Sequence, residues 1–207
     1  ARSDAPTAML GALGDDDFGR ERRADLEAEG IDTESVARRA ATPSGVALIV
    51  VEEATGQNRI AYVPGATRTI AADQARAAVE RVNPAVVLAT LEPPEEALAA
   101  LFDAARQRGS LAQLGPATVA VTLGASGVAI VHDGETATYP APSVEVVDTT
   151  GAGDAFCGAF AAELARGADA FSAARTGVVA GSLATTVRGA YPGIPHRAVI
   201  DAVLVDL

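Results

Sequence analysis

Short apolar runs alternate with alanine-rich segments of mixed polarity along most of the chain. A short apolar run bounded by turn residues predicts a buried strand, and apolar residues at helical spacing predict a helix. The predicted strands are residues 7–13, 85–89, 117–123, 128–132, 135–139 and 143–148. The predicted helices are residues 18–29, 71–81, 93–108, 155–166, 168–187 and 195–207. This alternation predicts an α/β fold with a largely parallel sheet.

Residues 45–64 have a different pattern. Two strand-like runs, 45–51 and 59–63, flank a turn at residues 55–58, and Pro64-Gly65 stops the second run. The pattern predicts a β-hairpin, residues 45–64, on an α/β core formed by residues 1–44 and 65–207. Both faces of the first run are apolar. Because an isolated two-stranded hairpin is marginal in water, we expect further strands or a second subunit to cover it.

Composition narrows the possible functions. The net charge is −11, and all 16 basic residues are arginine. Such a surface repels phosphate backbones and excludes nucleic acid as a partner, and a chain without lysine has no P-loop. One cysteine and two histidines leave little for a cysteine- or histidine-based metal site. No apolar run is long enough for a membrane span and no leader opens the sequence, so we expect a cytoplasmic protein.

The sequence from Val147 to Phe156 carries the chemistry. A predicted strand runs into Gly151-Ala152-Gly153, which opens a long helix. Glycine allows close approach of a ligand, and the first N–H groups of a helix favour an anion. A purely structural turn is one alternative. A dinucleotide fingerprint is another, but a third glycine is missing. Asp154 would repel a merely bound phosphate, yet it suits a general base that accepts the proton of an attacking hydroxyl.

Residues 148–156, Asp-Thr-Thr-Gly-Ala-Gly-Asp-Ala-Phe, resemble the second signature of the ribokinase-like (PfkB) carbohydrate kinases. The resemblance implies that Asp154 is the catalytic base and also contacts the substrate. It further implies that the amides of Gly151, Ala152 and Gly153 form an anion hole.

Other segments resemble the same family in the same order. Residues 10–19 resemble a Gly-x-Asp-x-x-Gly segment, and residues 45–66 resemble the β-hairpin lid. Glu92 falls where the family contacts its sugar. The resemblance implies a nucleotide site that shares Gly153 and otherwise consists of Thr122, Gly124, Ser126 and Gly127. It also implies a monovalent-cation site at Asp148, Thr150, Ala184, Val187, Gly189 and Gly193.

The family implies a three-layer fold with a mostly parallel central sheet and a small β-hairpin lid. It implies ATP-dependent phosphorylation of a primary hydroxyl on a small sugar, ribose, with Mg²⁺ and K⁺ as cofactors. We expect a homodimer joined through the lid. The alternatives are a kinase for fructose, 2-keto-3-deoxygluconate or a nucleoside, and a non-catalytic nucleotide-binding remnant.

Some expected features depart from the family or carry no function. The family's first strand with its sugar motif, and a segment near residues 109 and 110, are expected to be absent. Cys157 is predicted to fill a packed helix face, and His132 to face solvent. Asp17, within the acidic run Asp15–Asp17, is predicted to cap the first helix. His196, beside Pro195 at the predicted start of the last helix, is assigned no role.

Overall fold

The computed structural model describes residues 1–52, 58–108 and 118–205. The chain divides into two compact units. The first contains the described residues of 6–49 and 60–114, and the second contains those of 115–207 with 2–5 and 50–59.

The first unit is built on a β-α-β connection. Its elements are β1 (Gly11–Gly14), α1 (Asp17–Ala28), β2 (Val36–Arg39), a 3₁₀ turn (Gly65–Thr69), α2 (Ala72–Val82) and α3 (Glu95–Gln107). β1 and β2 pair in parallel, with Gly11 opposite Val36. The buried residues Ala12, Ala66, Ile70 and Ala97 form one of its apolar clusters.

Two elements of the first unit differ from the prediction. The pattern of apolar residues did not predict β2, because Val-Ala-Arg-Arg contains no apolar run and Val36 is the one buried residue of this strand. Residues 85–89, predicted as a strand, contain only an isolated bridge at Val86. Leu88 in this segment is 60 % exposed. The apolar run is therefore not fully buried, and apolar composition alone did not make it a strand.

The cap of α1 also corrects a prediction. Asp16, not Asp17, is the N-cap, and its carboxylate accepts the N–H of Gly19 at 2.7 Å. Its extended backbone places the carboxylate over the first helical turn, whereas Asp17 already has a helical position.

The predicted hairpin is present. β3 (Val46–Val51) and β4 (Asn58–Val63) form a two-stranded sheet. All of β3 is exposed, and the exposed fraction is 68 % for both Leu48 and Val50. Apolar side chains are therefore exposed on both faces, as the sequence predicted. Residues 55–57 of the predicted turn lie outside the described residues.

The second unit places an antiparallel sheet against a helical pair. Its elements are β5 (Thr118–Thr122), β6 (Val128–His132), β7 (Glu135–Tyr139), α4 (Ala152–Ala165), α5 (Ala170–Ala184), α6 (Ala190–Gly193) and α7 (Arg197–Leu204). A 3₁₀ turn, Gly124–Ser126, joins β5 to β6. Val128 and Ile130 from the sheet pack with Phe156 of α4 and Val178 of α5. A Cβ at Gly177 would lie 2.9 Å from the Phe156 ring, so small residues allow α4 and α5 to approach closely.

Several predicted boundaries in the second unit are wrong. α4 begins at Ala152 rather than 155, so Gly153 and Asp154 belong to its first turn. α5 ends at Ala184 rather than 187, and α7 is capped by His196 rather than beginning at Pro195.

Residues 143–148, predicted as a strand, have no regular secondary structure. The N–H groups of Val147 and Asp148 both donate to the Thr185 carbonyl, at 2.8 and 3.0 Å, instead of to a strand. β1 and β2 pair in parallel, and Ala8 and Asp32 form a neighbouring parallel bridge. Among the described residues, every helix is too short or too polar to cross a membrane.

Candidate active site

The start of α4 is shaped to receive an anion. Gly151 is its N-cap with φ +83°, and a Cβ there would lie 3.0 Å from Ala190. Only glycine fits both constraints. The first helical hydrogen bond is donated by Ala155 to Gly151, so the N–H groups of Gly153 and Asp154 have no acceptor within the helix. A Cβ at Gly153 would meet nothing within 4 Å, which leaves space for a ligand beside these amides.

The three predicted anion-hole amides are not equivalent. The Ala152 N–H donates to the Thr149 carbonyl at 3.3 Å, a long hydrogen bond that a ligand would have to replace. The amide of Asp154 itself, which sequence reasoning did not include, lies in the same first turn. Helix geometry alone identifies it, because the first N–H groups of every helix point out of its N-terminus.

Asp154 is exposed in the first turn of α4, beside these amides. The start of α4 therefore places an exposed carboxylate beside backbone N–H groups, and the role of Asp154 as the base stays a prediction.

Cys157 follows Asp154 by one turn, and its predicted packing is wrong. The cysteine is exposed, because Ala155, Phe156 and Ala159 occupy the buried face of α4. Desolvation and the neighbouring Asp154 carboxylate raise the pKa of the Cys157 thiol. A raised pKa keeps the sulfur protonated and disfavours a nucleophilic role.

Asp148 lies directly before the turn and is 5 % exposed. Its carboxylate accepts the Thr150 N–H at 2.9 Å and the Gly189 N–H at 2.8 Å. These hydrogen bonds, with a further contribution from the charge of Arg188, hold the pKa of Asp148 below its usual range. Asp148 thus joins the α4 turn to the loop before α6. The sequence contained no sign of Thr185, whose backbone carbonyl accepts the N–H of Asp148. Any residue can supply such a carbonyl, so the type of side chain at position 185 does not reveal it.

Three of the other predicted cation-site residues, Ala184, Val187 and Gly189, meet around Gly193. A Cβ on Gly193 would lie 2.7 Å from the Ala184 oxygen and 3.5 Å from the Val187 oxygen. The Gly193 N–H donates to the Gly189 carbonyl at 3.0 Å. Two carbonyl oxygens therefore converge beside a buried glycine, where oxygen ligands suit a hard cation.

The turn between β5 and β6 is the predicted nucleotide site. Gly127 has φ +95°, and a Cβ there would lie 2.0 Å from the Tyr139 oxygen, so this glycine shapes the turn. The Leu123 N–H donates to the Gly127 carbonyl at 2.7 Å and closes it. Thr122, Gly124 and Ser126 are exposed. The turn is in the same unit as the start of α4.

Glu92 belongs to the first unit and is exposed shortly before α3. Its predicted contact with sugar stays a prediction.

His132 is half-buried, which corrects the prediction that it faces solvent. Its Nδ1 lies 2.7 Å from the Thr118 hydroxyl oxygen, and its ring packs nearly perpendicular to the Phe171 ring, with the two ring centroids 6.0 Å apart. These contacts give it a structural place at the end of the antiparallel sheet.

Comparison with known proteins agrees with this geometry. The family model described as pfkB family carbohydrate kinase matches residues 1–116 and 109–197. Ribokinase from Bacillus subtilis is 31 % identical over 247 residues, covering 99 % of this chain and 83 % of that protein.

Solved structures show the same fold. A structure of Arabidopsis thaliana ribokinase complexed with ribose and ATP has a TM-score of 0.84 and 24 % identity, covering 98 % of this chain and 83 % of that one. A putative ribokinase II from E. coli in complex with ATP and Mg²⁺ has a TM-score of 0.81 and 18 % identity. The match covers 100 % of this chain and 85 % of that one. The predicted ribokinase-like α/β fold is confirmed by these similarities.

Proposed function

Because the chain belongs to the pfkB family of carbohydrate kinases, and is therefore a phosphotransferase with an alcohol group as acceptor, we propose that it phosphorylates ribose with ATP. The observation that carries the proposal is Asp154 in the first turn of α4, where the N–H groups of Gly153 and Asp154 have no acceptor within the helix. The alignment with B. subtilis ribokinase along nearly the whole chain supports ribose as the sugar.

In the proposed reaction, the Asp154 carboxylate accepts the proton of the primary hydroxyl as its oxygen attacks the γ-phosphorus of ATP. The bond between the γ-phosphorus and the β–γ bridging oxygen breaks, and ADP leaves. N–H groups at the α4 turn, from Gly151 to Gly153, donate to the oxygens of the transferred phosphoryl group. Phosphoryl transfer requires mainly positioning and electrostatic stabilisation, and a helix N-terminus provides both.

The nucleotide would bind at the exposed Thr122, Gly124 and Ser126 and reach Gly153 with its phosphates. Among the described residues, no group of three or more His, Cys, Asp or Glu could hold a metal ion. Mg²⁺ would therefore be carried mainly by the phosphates, where it neutralises their charge. Glu92 is the proposed sugar contact.

Potassium is the proposed monovalent cation. The convergence of the Ala184 and Val187 carbonyl oxygens beside Gly193 supports this site, and Thr150, Gly189 and Asp148 adjoin it. A bound cation would reduce the repulsion between those carbonyls. It would thereby steady the loop that Asp148 joins to the α4 turn.

The β3–β4 hairpin is proposed to serve as a lid and to join two chains into a homodimer. The exposed Leu48 and Val50 support an apolar contact of this kind. We place the reaction in the cytoplasm, since its phosphoryl donor is ATP.

The proposal is tested by assaying ADP release from the purified chain with ATP, Mg²⁺ and K⁺. The acceptors are ribose, fructose, 2-keto-3-deoxygluconate and inosine. We expect kcat/KM for ribose to exceed that of every other acceptor by at least about tenfold, which corresponds to the net free energy of about one hydrogen bond. A higher value for another acceptor would overturn the assignment of ribose. Nucleotide binding without transfer to any acceptor would favour the non-catalytic remnant.

A further inference from the structure

Both ends of the β3–β4 hairpin meet the end of β1 and the start of α1 in the first unit. Ser44, just before the hairpin, donates its backbone N–H to Asp16 Oδ2 and its hydroxyl to Asp16 Oδ1, both at 2.7 Å. The Ser44 hydroxyl oxygen also accepts the Gly14 N–H at 2.9 Å. Ser44 is 4 % exposed, although β3 begins only two residues later and is exposed throughout.

The second end of the hairpin is held against the first. The Ala66 N–H donates to the Pro43 carbonyl at 2.9 Å. A Cβ at Gly65 would lie 2.5 Å from the same oxygen, and Gly65 has φ +49°. A Cβ at Gly45 would lie 2.7 Å from the Pro64 oxygen. The two ends therefore leave no room for a side chain between them, and a shift at Ser44 would be transmitted to both.

We propose that Asp16 and Ser44 are positioning residues, whose hydrogen bonds fix how the base of the hairpin, residues 44–49 and 60–65 of the first unit, is held at the start of α1, and thereby the affinity for sugar. The effect on sugar rests on the proposed function, in which this hairpin is the lid. Neither residue needs to touch the substrate. The sequence by itself indicates no role for Ser44, and Asp16 stands there only in the acidic run Asp15–Asp17 and in the Gly-x-Asp-x-x-Gly segment.

The hydrogen bonds of Asp16 and Ser44 would act on sugar affinity through the fraction of molecules in which the hairpin has its binding orientation. When a ligand binds one orientation of a mobile element, its apparent dissociation constant rises as that orientation becomes less populated. Removing the Ser44 hydroxyl takes away one donor to Asp16 and the acceptor of the Gly14 N–H. The hairpin would then sample more directions, and the KM for sugar would rise more than kcat falls. We call Gly14, Asp16 and Ser44 the junction. The KM for ATP would stay unchanged, because no residue of this junction belongs to the proposed nucleotide site.

The test compares Ser44→Ala and Asp16→Asn with Asp169→Asn. Asp169 is a matched control, since it caps α5 by accepting the Ser172 N–H at 2.9 Å and the Ser172 hydroxyl at 2.7 Å. We expect both junction variants to raise the KM for ribose about tenfold with kcat within about threefold. Asp169→Asn should lower Tm by about as much as Ser44→Ala and Asp16→Asn do, and it should leave the KM for ribose unchanged. An unchanged KM in both junction variants, or an equal rise in Asp169→Asn, would overturn the proposal.

A second measurement needs no activity. The chain contains no tryptophan, so Ile49→Trp, on the face of β3 opposite the proposed dimer contact at Leu48 and Val50, places the single indole on the hairpin. Its fluorescence anisotropy should fall when Ser44→Ala or Asp16→Asn is added and stay constant with Asp169→Asn. Constant anisotropy in all three would refute a fixed direction set by Asp16 and Ser44. If the parent chain phosphorylates no sugar, the proposed function fails, and anisotropy alone decides whether the junction positions the hairpin.

Discussion

The Asp148 carboxylate accepts the Gly189 N–H at 2.8 Å, across 41 residues of sequence. Its other oxygen accepts the Thr150 N–H at 2.9 Å, directly before the turn that begins α4. One buried side chain thus holds together the proposed anion site and the proposed cation loop. Displacement of either would move the other.

Replacing Asp148 by asparagine should lower the free energy of unfolding. An asparagine amide faces one of the two backbone N–H groups with its own NH₂ group, so one buried donor loses its acceptor. Such a loss costs about 1–3 kcal/mol. Urea denaturation measures it. Asp154→Asn, at an exposed carboxylate, is the control and should stay within about 0.5 kcal/mol of the parent chain. Equal unfolding free energies for all three proteins would contradict the prediction.

Asp154→Asn should lower kcat by about 10²–10⁴, the usual contribution of a positioned general base, while nucleotide binding stays nearly intact. An amide cannot accept the hydroxyl proton, but it leaves the helix N-terminus unchanged. Steady-state kinetics and nucleotide titration check both parts. Cys157→Ser is a matched control on the same exposed face of α4 and should retain turnover. Near-parental turnover in Asp154→Asn would remove Asp154 as the base.

Turnover should depend on a monovalent cation, with K⁺ preferred. Small displacements at a reacting centre can cost on the order of 10²-fold in rate, and the cation would steady the loop behind the α4 turn. The assay exchanges K⁺ for tetramethylammonium at constant ionic strength, while circular dichroism monitors the fold. Equal turnover in both salts with the fold intact would show the cation assignment to be wrong.

Gly193→Ala offers a structural check of the same site. Its Cβ would lie 2.7 Å from the Ala184 oxygen, so the carbonyls must move apart. We expect K⁺ to lose its effect on turnover. Gly158→Ala is a matched control, since a Cβ there meets nothing within 4 Å. The prediction is refuted if Gly193→Ala responds to K⁺ as the parent chain does.

The oligomeric state should depend on the β3–β4 hairpin. Light scattering over a range of protein and salt concentrations should give the mass of a homodimer. Leu48→Glu should give a monomer, because a charge within the apolar contact would be desolvated. Leu91→Glu, at a side chain that is 90 % exposed outside the hairpin, should remain dimeric. A monomeric mass for the parent chain at every concentration would count against the contact.

Stability should decline in acid. Hydrogen bonds from backbone N–H groups lower the pKa of Asp148, and the Ser44 hydroxyl and N–H lower that of Asp16. A carboxyl whose pKa is lower in the folded state stabilises the fold above its unfolded pKa of about 4, and this stabilisation is lost as the pH falls through the folded value. Urea midpoints measured from neutral pH downward should therefore drop below pH of about 4. Asp148→Asn should show a shallower drop. Identical slopes would exclude Asp148 as a contributor.

Local sequence determined the parts of the site that depend on neighbouring residues. Gly151, Gly153 and Asp154 specify a turn that opens a helix, because glycine conformation and helix N-terminal N–H groups act within one turn. The hairpin ending at Pro64-Gly65 followed from the same kind of local signal. The family signature in residues 148–156 predicted the family, which the comparisons confirmed, and the role it implies for Asp154 stays a prediction.

Only the tertiary structure decided which distant groups meet. The partner of Asp148 lies 41 residues away, and Asp16 is joined to Ser44 across 28 residues. Residues 143–148 are apolar enough for a strand, yet Val147 and Asp148 donate to the Thr185 carbonyl. The physical reason is that propensity and periodicity act over a few residues. A backbone carbonyl or N–H, by contrast, carries no sequence signal, and its partner depends on how the helices and loops pack.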